Sequence, residues 1–190
     1  ITNLDELSNL YISYIKTIQN SGPYYLLGWS MGGLIALRVA EVLQSQGEIV
    51  KKLYLLDSFP MSEHAFWQVK NINMHKVFYK LMPKEVADKI KSLPEIYRDK
   101  IFNVLKNDCE MLHQHKWGGY DGQCVLLRDS KGSAVDQRYS KKSWYGWKKY
   151  LSNLDIIEID INHFEFMSLD NSKKVAEIVE QDQSYRITHQ

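Results

Sequence analysis

The stretch Leu26-Leu27-Gly28-Trp29-Ser30-Met31-Gly32-Gly33 constrains the fold of this chain more than any other. The apolar, aromatic-rich run from Tyr24 to Trp29 reads as a buried strand. From Met31 the apolar period turns helical, with Ile35, Ala36, Val39, Ala40 and Leu43 on one face. Ser30 stands at the junction, in the pattern Gly28-x-Ser30-x-Gly32. A strand that becomes a helix within one residue needs small flanks, so a side chain at Gly28 or Gly32 is expected to collide with the turn. Such a turn lifts Ser30 Oγ to the carboxyl edge of a sheet, near the positive end of a helix. The pattern alone also fits an ordinary turn serine; the strand before it and the helix after it favour a nucleophile.

The rest of the chain repeats the alternation. Leu4, Leu7, Tyr11, Tyr14, Ile15 and Ile18 recur at helical spacing behind a cap at Thr2 or Asn3, with Asp5 and Glu6 in the first turn. Lys52 to Leu56 is a second buried strand, ending at Asp57. From Pro60 to about Trp117 the strand rhythm gives way to helical character broken at Pro83 and Pro94, as expected of a helical insertion over residues 60–118. Trp117 to Gly122 reads as a loop. Gln123 to Leu127 is a third strand, followed by a polar stretch from Lys131 to Ser140 expected to be mobile. Tyr145-Gly146-Trp147 opens a turn or short helix. Leu154 to Ile159 is the last strand, and a helix is expected from Ser172 to Gln181 before a frayed tail. Buried strands alternating with helices imply an α/β fold, a mostly parallel sheet covered on both faces.

Composition removes several classes of function. The 190 residues suit one domain, 1–190, with a sizeable core, and the net charge of +1 gives no general pull toward nucleic acid or acidic membranes. No apolar run approaches the roughly 18 residues that span a bilayer. The N-terminal ten residues lack a signal peptide's basic start and apolar block, which suggests a cytoplasmic protein. Cys109 and Cys124 read as free thiols. His113 and His115 point apart on a helix and have no clustered third ligand, so no metal is expected.

A serine hydroxyl needs a base to take its proton. Of the six histidines, His163 alone follows the last strand and precedes the last helix, where an imidazole can reach the elbow. His64, His75, His113 and His115 fall in the insertion, on its surface or in a lid, and His189 in the tail. The acid that orients the imidazole has two candidates. Asp57 and Asp129 each end a strand at the carboxyl edge, and the pattern leaves both open.

The run from Gly22 to Ser58 resembles, almost residue for residue, the thioesterase domains of non-ribosomal peptide synthetases and polyketide synthases, in the α/β-hydrolase superfamily. Ile161 to Met167 resembles that family's histidine loop, and Tyr145-Gly146-Trp147 the segment before its last strands. Asn162 matches no assignable role. The resemblance covers Leu4 to about Val179, the lid region in character only, and it implies that Asp57 is the acid.

What it further implies is a single α/β-hydrolase thioesterase domain with a helical lid. Ser30, His163 and Asp57 would form a catalytic triad, and the Met31 N–H would be one oxyanion donor. The enzyme would have no cofactor of its own. Its substrate would be an acyl or peptidyl chain on the phosphopantetheine of a partner carrier domain, released by hydrolysis or cyclisation. The family's first strands, one of whose loops supplies the second oxyanion donor, have no counterpart here. With Ile1 running almost directly into a helix, this suggests an N-terminally truncated domain. Two other readings stay open: a free-standing editing thioesterase or general esterase on the same fold, and a non-catalytic fragment used for docking.

Overall fold

The computed structural model describes residues 1, 3–60, 75, 79, 82–130 and 146–187. Four strands, β1 (Tyr24–Trp29), β2 (Val50–Leu56), β3 (Cys124–Asp129) and β4 (Leu154–Ile159), form one sheet in the order β1-β2-β3-β4. Every pairing is parallel. Among the described residues the helices are α1 (Leu4–Ile18), α2 (Met31–Ser45), α3 (Lys84–Ser92), α4 (Glu95–Gln114) and α5 (Leu169–Ile187). Two one-turn 3-10 segments cover Trp147–Lys149 and His163–Glu165.

Alternation along the strands divides the core between two faces. Leu53, Leu55, Cys124 and Leu126 pack against Leu34, Leu37 and Ala40 of α2, together with Met111 and Leu112 of α4 and Trp147. The intervening residues Tyr54, Leu56, Val125 and Leu127 pack on the other face against Ile161, Phe166 and Val175, with Ile178 and Val179 of α5 beside them. The expected doubly covered parallel sheet is therefore present. Of the expected insertion, the described part is helical and Pro83 and Pro94 cap α3 and α4, while residues 61–74, 76–78, 80 and 81 lie outside the described residues. The C-terminal end of α4 belongs to the core through Met111 and Leu112.

Local chemistry sets the helix limits. Asn3 Oδ1 accepts the Glu6 N–H at 2.8 Å, so Asn3 is the cap of α1. At the end of α2, Gly47 has φ +79°, its N–H bonds the Gln44 carbonyl and the Glu48 N–H bonds the Leu43 carbonyl. This is a Schellman stop, for which a residue free to take positive φ is needed. The stop turns the chain directly into β2.

The structure extends three elements beyond their expected limits. β2 begins at Val50 rather than Lys52. β3 continues through Arg128 and Asp129, because Arg128 Nη1 meets Glu158 Oε1 at 2.7 Å on the register partner in β4. Helix α5 begins at Leu169 rather than Ser172 and runs to Ile187 rather than fraying after Gln181. Its last turns are held by Asp182, whose Oδ2 lies 2.5 Å from Lys52 Nζ and accepts the Tyr54 hydroxyl at 2.8 Å. Burial and this carboxylate together raise the Tyr54 pKa. Residues 188–190 of the tail and the polar stretch 131–140 lie outside the described residues.

One buried carboxylate ties α2 to its surroundings. Glu41 accepts Arg38 Nη1–H at 2.9 Å and the Gly119 N–H at 3.2 Å, with His115 Nε2 at 3.4 Å. Arg38 Nε also reaches Asp5 of α1 at 2.8 Å. Burial pushes the Glu41 pKa up, but the bonds from His115, Arg38 and Gly119 outweigh it and hold the carboxyl below its ordinary value. The stabilisation is thus full above the ordinary carboxylate range and is lost as pH falls through the depressed pKa. His115, expected on the surface or in a lid, is instead half-buried over α2.

Candidate active site

Strand β1 ends at Trp29 and helix α2 begins at Met31, which leaves Ser30 alone in the turn. Its backbone sits at φ 53°, ψ −123°, a region costly for a residue with a Cβ. Among the described residues, the non-glycines with positive φ are Ser30 and Asp57. Strain confined to two residues needs surroundings that over-determine both, and the bonds are there. The Ser30 N–H donates to the Leu56 carbonyl at 2.9 Å, and its own carbonyl accepts the Ser58 hydroxyl at 2.7 Å. The Asp57 N–H donates to the Leu127 carbonyl at 2.7 Å.

Crowding at the elbow differs from the expectation. A Cβ on Gly28 would stand 2.2 Å from the Gly32 carbonyl oxygen and 2.6 Å from the Gly33 nitrogen. A Cβ on Gly32 would meet nothing within 4 Å, so the expected collision there is corrected. The second crowded position is Gly33, where a Cβ would lie 2.0 Å from Ser58 Oγ. The reason is geometric. Gly32 offers its backbone to Gly28, whereas its own Cβ direction points into open space; one turn position later the helix faces Ser58.

The histidine loop follows β4. Asn162 precedes the 3-10 turn and caps it, with Oδ1 accepting the Phe164 N–H at 3.1 Å, which supplies the role the sequence did not reveal. His163 is buried, and its Nδ1 lies 2.7 Å from Asp57 Oδ2, across 106 residues of sequence. The other carboxylate oxygen, Oδ1, accepts the Asp129 N–H at 3.0 Å. The structure therefore brings Asp57 to the imidazole, and Asp129 contributes a backbone donor to Asp57. With Nδ1 facing a carboxylate, the proton of a neutral imidazole belongs on Nδ1, which leaves Nε2 as the acceptor.

Two tryptophans complete the frame. Trp147 is fully buried and donates Nε1–H to the Ser58 carbonyl at 2.8 Å, which locks the residue after Asp57. Trp29 donates Nε1–H to the His163 carbonyl at 3.0 Å, and the two rings lie 5.4 Å apart at 39°. Neither bond was legible in the sequence, since each joins segments far apart in the chain. The Met31 N–H stands in the first turn of α2, where amide hydrogens lack intrahelical partners. Among the described residues no cluster of His, Cys, Asp or Glu could hold a metal, and no helix is long and apolar enough to cross a membrane.

The strained Ser30 turn follows Trp29, whose indole bonds the loop that carries the imidazole of the Asp57–His163 pair. The thioesterase domain family model matches residues 1–182. Enterobactin synthase component F of Escherichia coli O157:H7 is 27% identical over 190 residues, covering 94% of this chain and 14% of that protein. A dimodular nonribosomal peptide synthase of Bacillus subtilis (strain 168) is 49% identical over 57 residues, 30% of this chain and 2% of that protein. The chain thus spans a small share of the length of these curated relatives. The NocB thioesterase domain from the nocardicin cluster superposes with a TM-score of 0.68 at 22% identity, covering 95% of this chain and 73% of that one, a likeness of fold. The chain belongs to the thioesterase domain family, built on the α/β-hydrolase fold.

Proposed function

We propose that the protein releases an acyl or peptidyl chain from the phosphopantetheine thioester of a carrier domain, through an acyl-enzyme formed on Ser30. The observation that carries this reading is the 2.7 Å contact between His163 Nδ1 and Asp57 Oδ2, set beside a serine held at positive φ. In this mechanism Asp57 fixes the imidazole tautomer and balances the charge of the imidazolium. His163 Nε2 takes the Ser30 proton as Oγ attacks the thioester carbonyl. The Met31 N–H stabilises the oxyanion, since it stands in the first turn of a helix, where amide hydrogens lack intrahelical partners. Collapse breaks the C–S bond, and the sulfur leaves as thiol with the proton from His163. Water or a nucleophile within the chain, deprotonated by the same imidazole, then releases the acid or ring and restores Ser30.

The substrate class is supported by relatives named as synthases, one of them a nonribosomal peptide synthase. Ser30→Ala provides the test, with an acyl-N-acetylcysteamine thioester as the carrier mimic and a fluorophosphonate as the covalent probe. Labelling should vanish and turnover should fall by about 10⁶. Asp57→Asn should retain the fold but lose about 10⁴ in turnover, because Asn presents the wrong partner to Nδ1. Thioester release that survives Ser30→Ala unchanged would overturn the mechanism.

A further inference from the structure

The elbow and the histidine loop meet at one further contact that the mechanism above leaves unused. Trp29 immediately precedes Ser30, ends β1, and pairs in register with Leu56, the residue before Asp57. Its indole N–H reaches the backbone carbonyl of His163 itself, 134 residues away, at 3.0 Å. Its ring is tilted against the imidazole, with centroids 5.4 Å apart and an interplanar angle of 39°. Below, it packs on the cluster that includes Leu56, Ile161 and Phe166. One side chain therefore touches the core under the acid, the base and, through the chain, the nucleophile.

We propose that Trp29 is a positioning residue that fixes the His163 imidazole relative to Ser30. The inference rests on the function proposed above. Three properties argue for it. First, the Asp57 contact holds one ring atom, Nδ1, and by itself leaves freedom to the backbone that carries the imidazole. A bond to the His163 carbonyl restrains the backbone from which the ring hangs and so removes that freedom. Second, indole offers a donor and no acceptor, so it can hold a carbonyl without competing for the Ser30 proton. Third, the ring centroids lie within the roughly 6 Å at which aromatic rings attract cations, so the contact strengthens when His163 becomes imidazolium. An interaction that grows in the transition state acts on kcat more than on KM. A Trp placed there only to fill space would need the ring and not the N–H.

The test separates ring from N–H. Trp29 is replaced by benzothienylalanine, which keeps the bicyclic shape and lacks the N–H, and in parallel by Phe. For each protein the melting temperature, kcat and KM on the acyl-N-acetylcysteamine thioester, and the rate of fluorophosphonate labelling of Ser30 are measured. The expected result is a melting temperature within a few degrees of the parent and KM within about threefold. Labelling rate and kcat should both fall by about tenfold, the rate equivalent of one lost hydrogen bond. If the isosteric variant restores kcat and labelling to the parent values, the positioning role is overturned while the acyl-enzyme mechanism stands. If the parent itself neither labels nor turns over, the mechanism falls and this inference with it. Should Trp29→Phe fail to fold, the isosteric variant still decides.

Discussion

The two halves of the site are held by different forces. The elbow half, Gly28 to Ser58, is nearly contiguous in sequence and is set by crowding around two glycines. Gly28 fits only because it has no Cβ to strike the Gly32 carbonyl, and Gly33 only because it has none to strike Ser58. The histidine half sits on a one-turn 3-10 segment and is set by side-chain bonds from Asp57, Trp29 and Asn162. Crowding is unforgiving, because backbone atoms cannot step aside. A hydrogen-bonded loop gives way gradually, one bond at a time. Filling a crowded glycine of the first half should therefore cost folding, whereas loosening a bond of the second should cost rate.

The largest expected effect is at Gly28. A methyl group there would lie 2.2 Å from one backbone atom and 2.4 Å from another, with no rotamer to relieve it. Gly28→Ala should destabilise by more than about 4 kcal/mol, the range of exceptional single substitutions. The protein should then lack a cooperative thermal transition by circular dichroism. A normal melting curve would show that the turn can open, and the contrast between the halves would be lost.

Gly33→Ala comes next and can be rescued. Its two nearest obstacles are Ser58 Oγ at 2.0 Å and Ser58 Cβ at 2.8 Å, both side-chain atoms, with the Gly28 carbonyl oxygen next at 3.0 Å. Alone, the substitution should cost about 2–3 kcal/mol, as overpacking does. Ser58→Gly removes both obstacles and also the hydroxyl that donates to the Ser30 carbonyl. The double variant should be more stable than the sum of the two single costs predicts. A double-mutant cycle by chemical denaturation should give a coupling of at least about 1 kcal/mol. Strict additivity would mean that Ser58 is not the wall.

These contrasts also explain what could be read from sequence. The four strands and the elbow were legible because their signals are local: apolar runs, a change of period at Met31, and a glycine pattern. His163 was legible by its place between the last strand and the last helix. The choice between Asp57 and Asp129 was not legible from pattern, since both end buried strands. It turns on which carboxylate meets Nδ1, a distance between segments far apart in the chain. The bonds from Trp29 and Trp147 were hidden for the same reason. So was the length of α5, whose end is anchored by Lys52 and Tyr54 on a distant strand rather than by a capping signal of its own. The error at Gly32 has another origin. The pattern weighs both flanking glycines alike, whereas only the built turn reveals which Cβ direction is blocked.

On the histidine side, Asn162→Ala removes the side-chain acceptor of the Phe164 N–H. The loss of such a cap typically costs about 1 kcal/mol. Asp57 and Trp29 still hold His163, so melting should shift by a few degrees and kcat by a few-fold. Asn162→Asp, which keeps the acceptor oxygen, should recover most of the melting temperature. A collapse of folding on the scale of Gly28→Ala would erase the distinction between a crowded half and a bonded half.

The smallest effect is expected at Gly32, and it tests the contrast most finely. Gly32 belongs to the same motif as Gly28, lies in the first turn of α2, and has no positive φ. With nothing within 4 Å of its Cβ position, alanine adds no clash. Alanine also loses less backbone entropy than glycine in a helix, an advantage of up to about 1 kcal/mol in a helix interior and less near an end. Gly32→Ala should therefore leave the melting temperature unchanged or raise it slightly. Comparing its denaturation curve with that of Gly28→Ala isolates direction from motif membership. If Gly32→Ala is destabilising by more than about 1 kcal/mol, the crowding attributed to two particular glycines belongs instead to the whole turn.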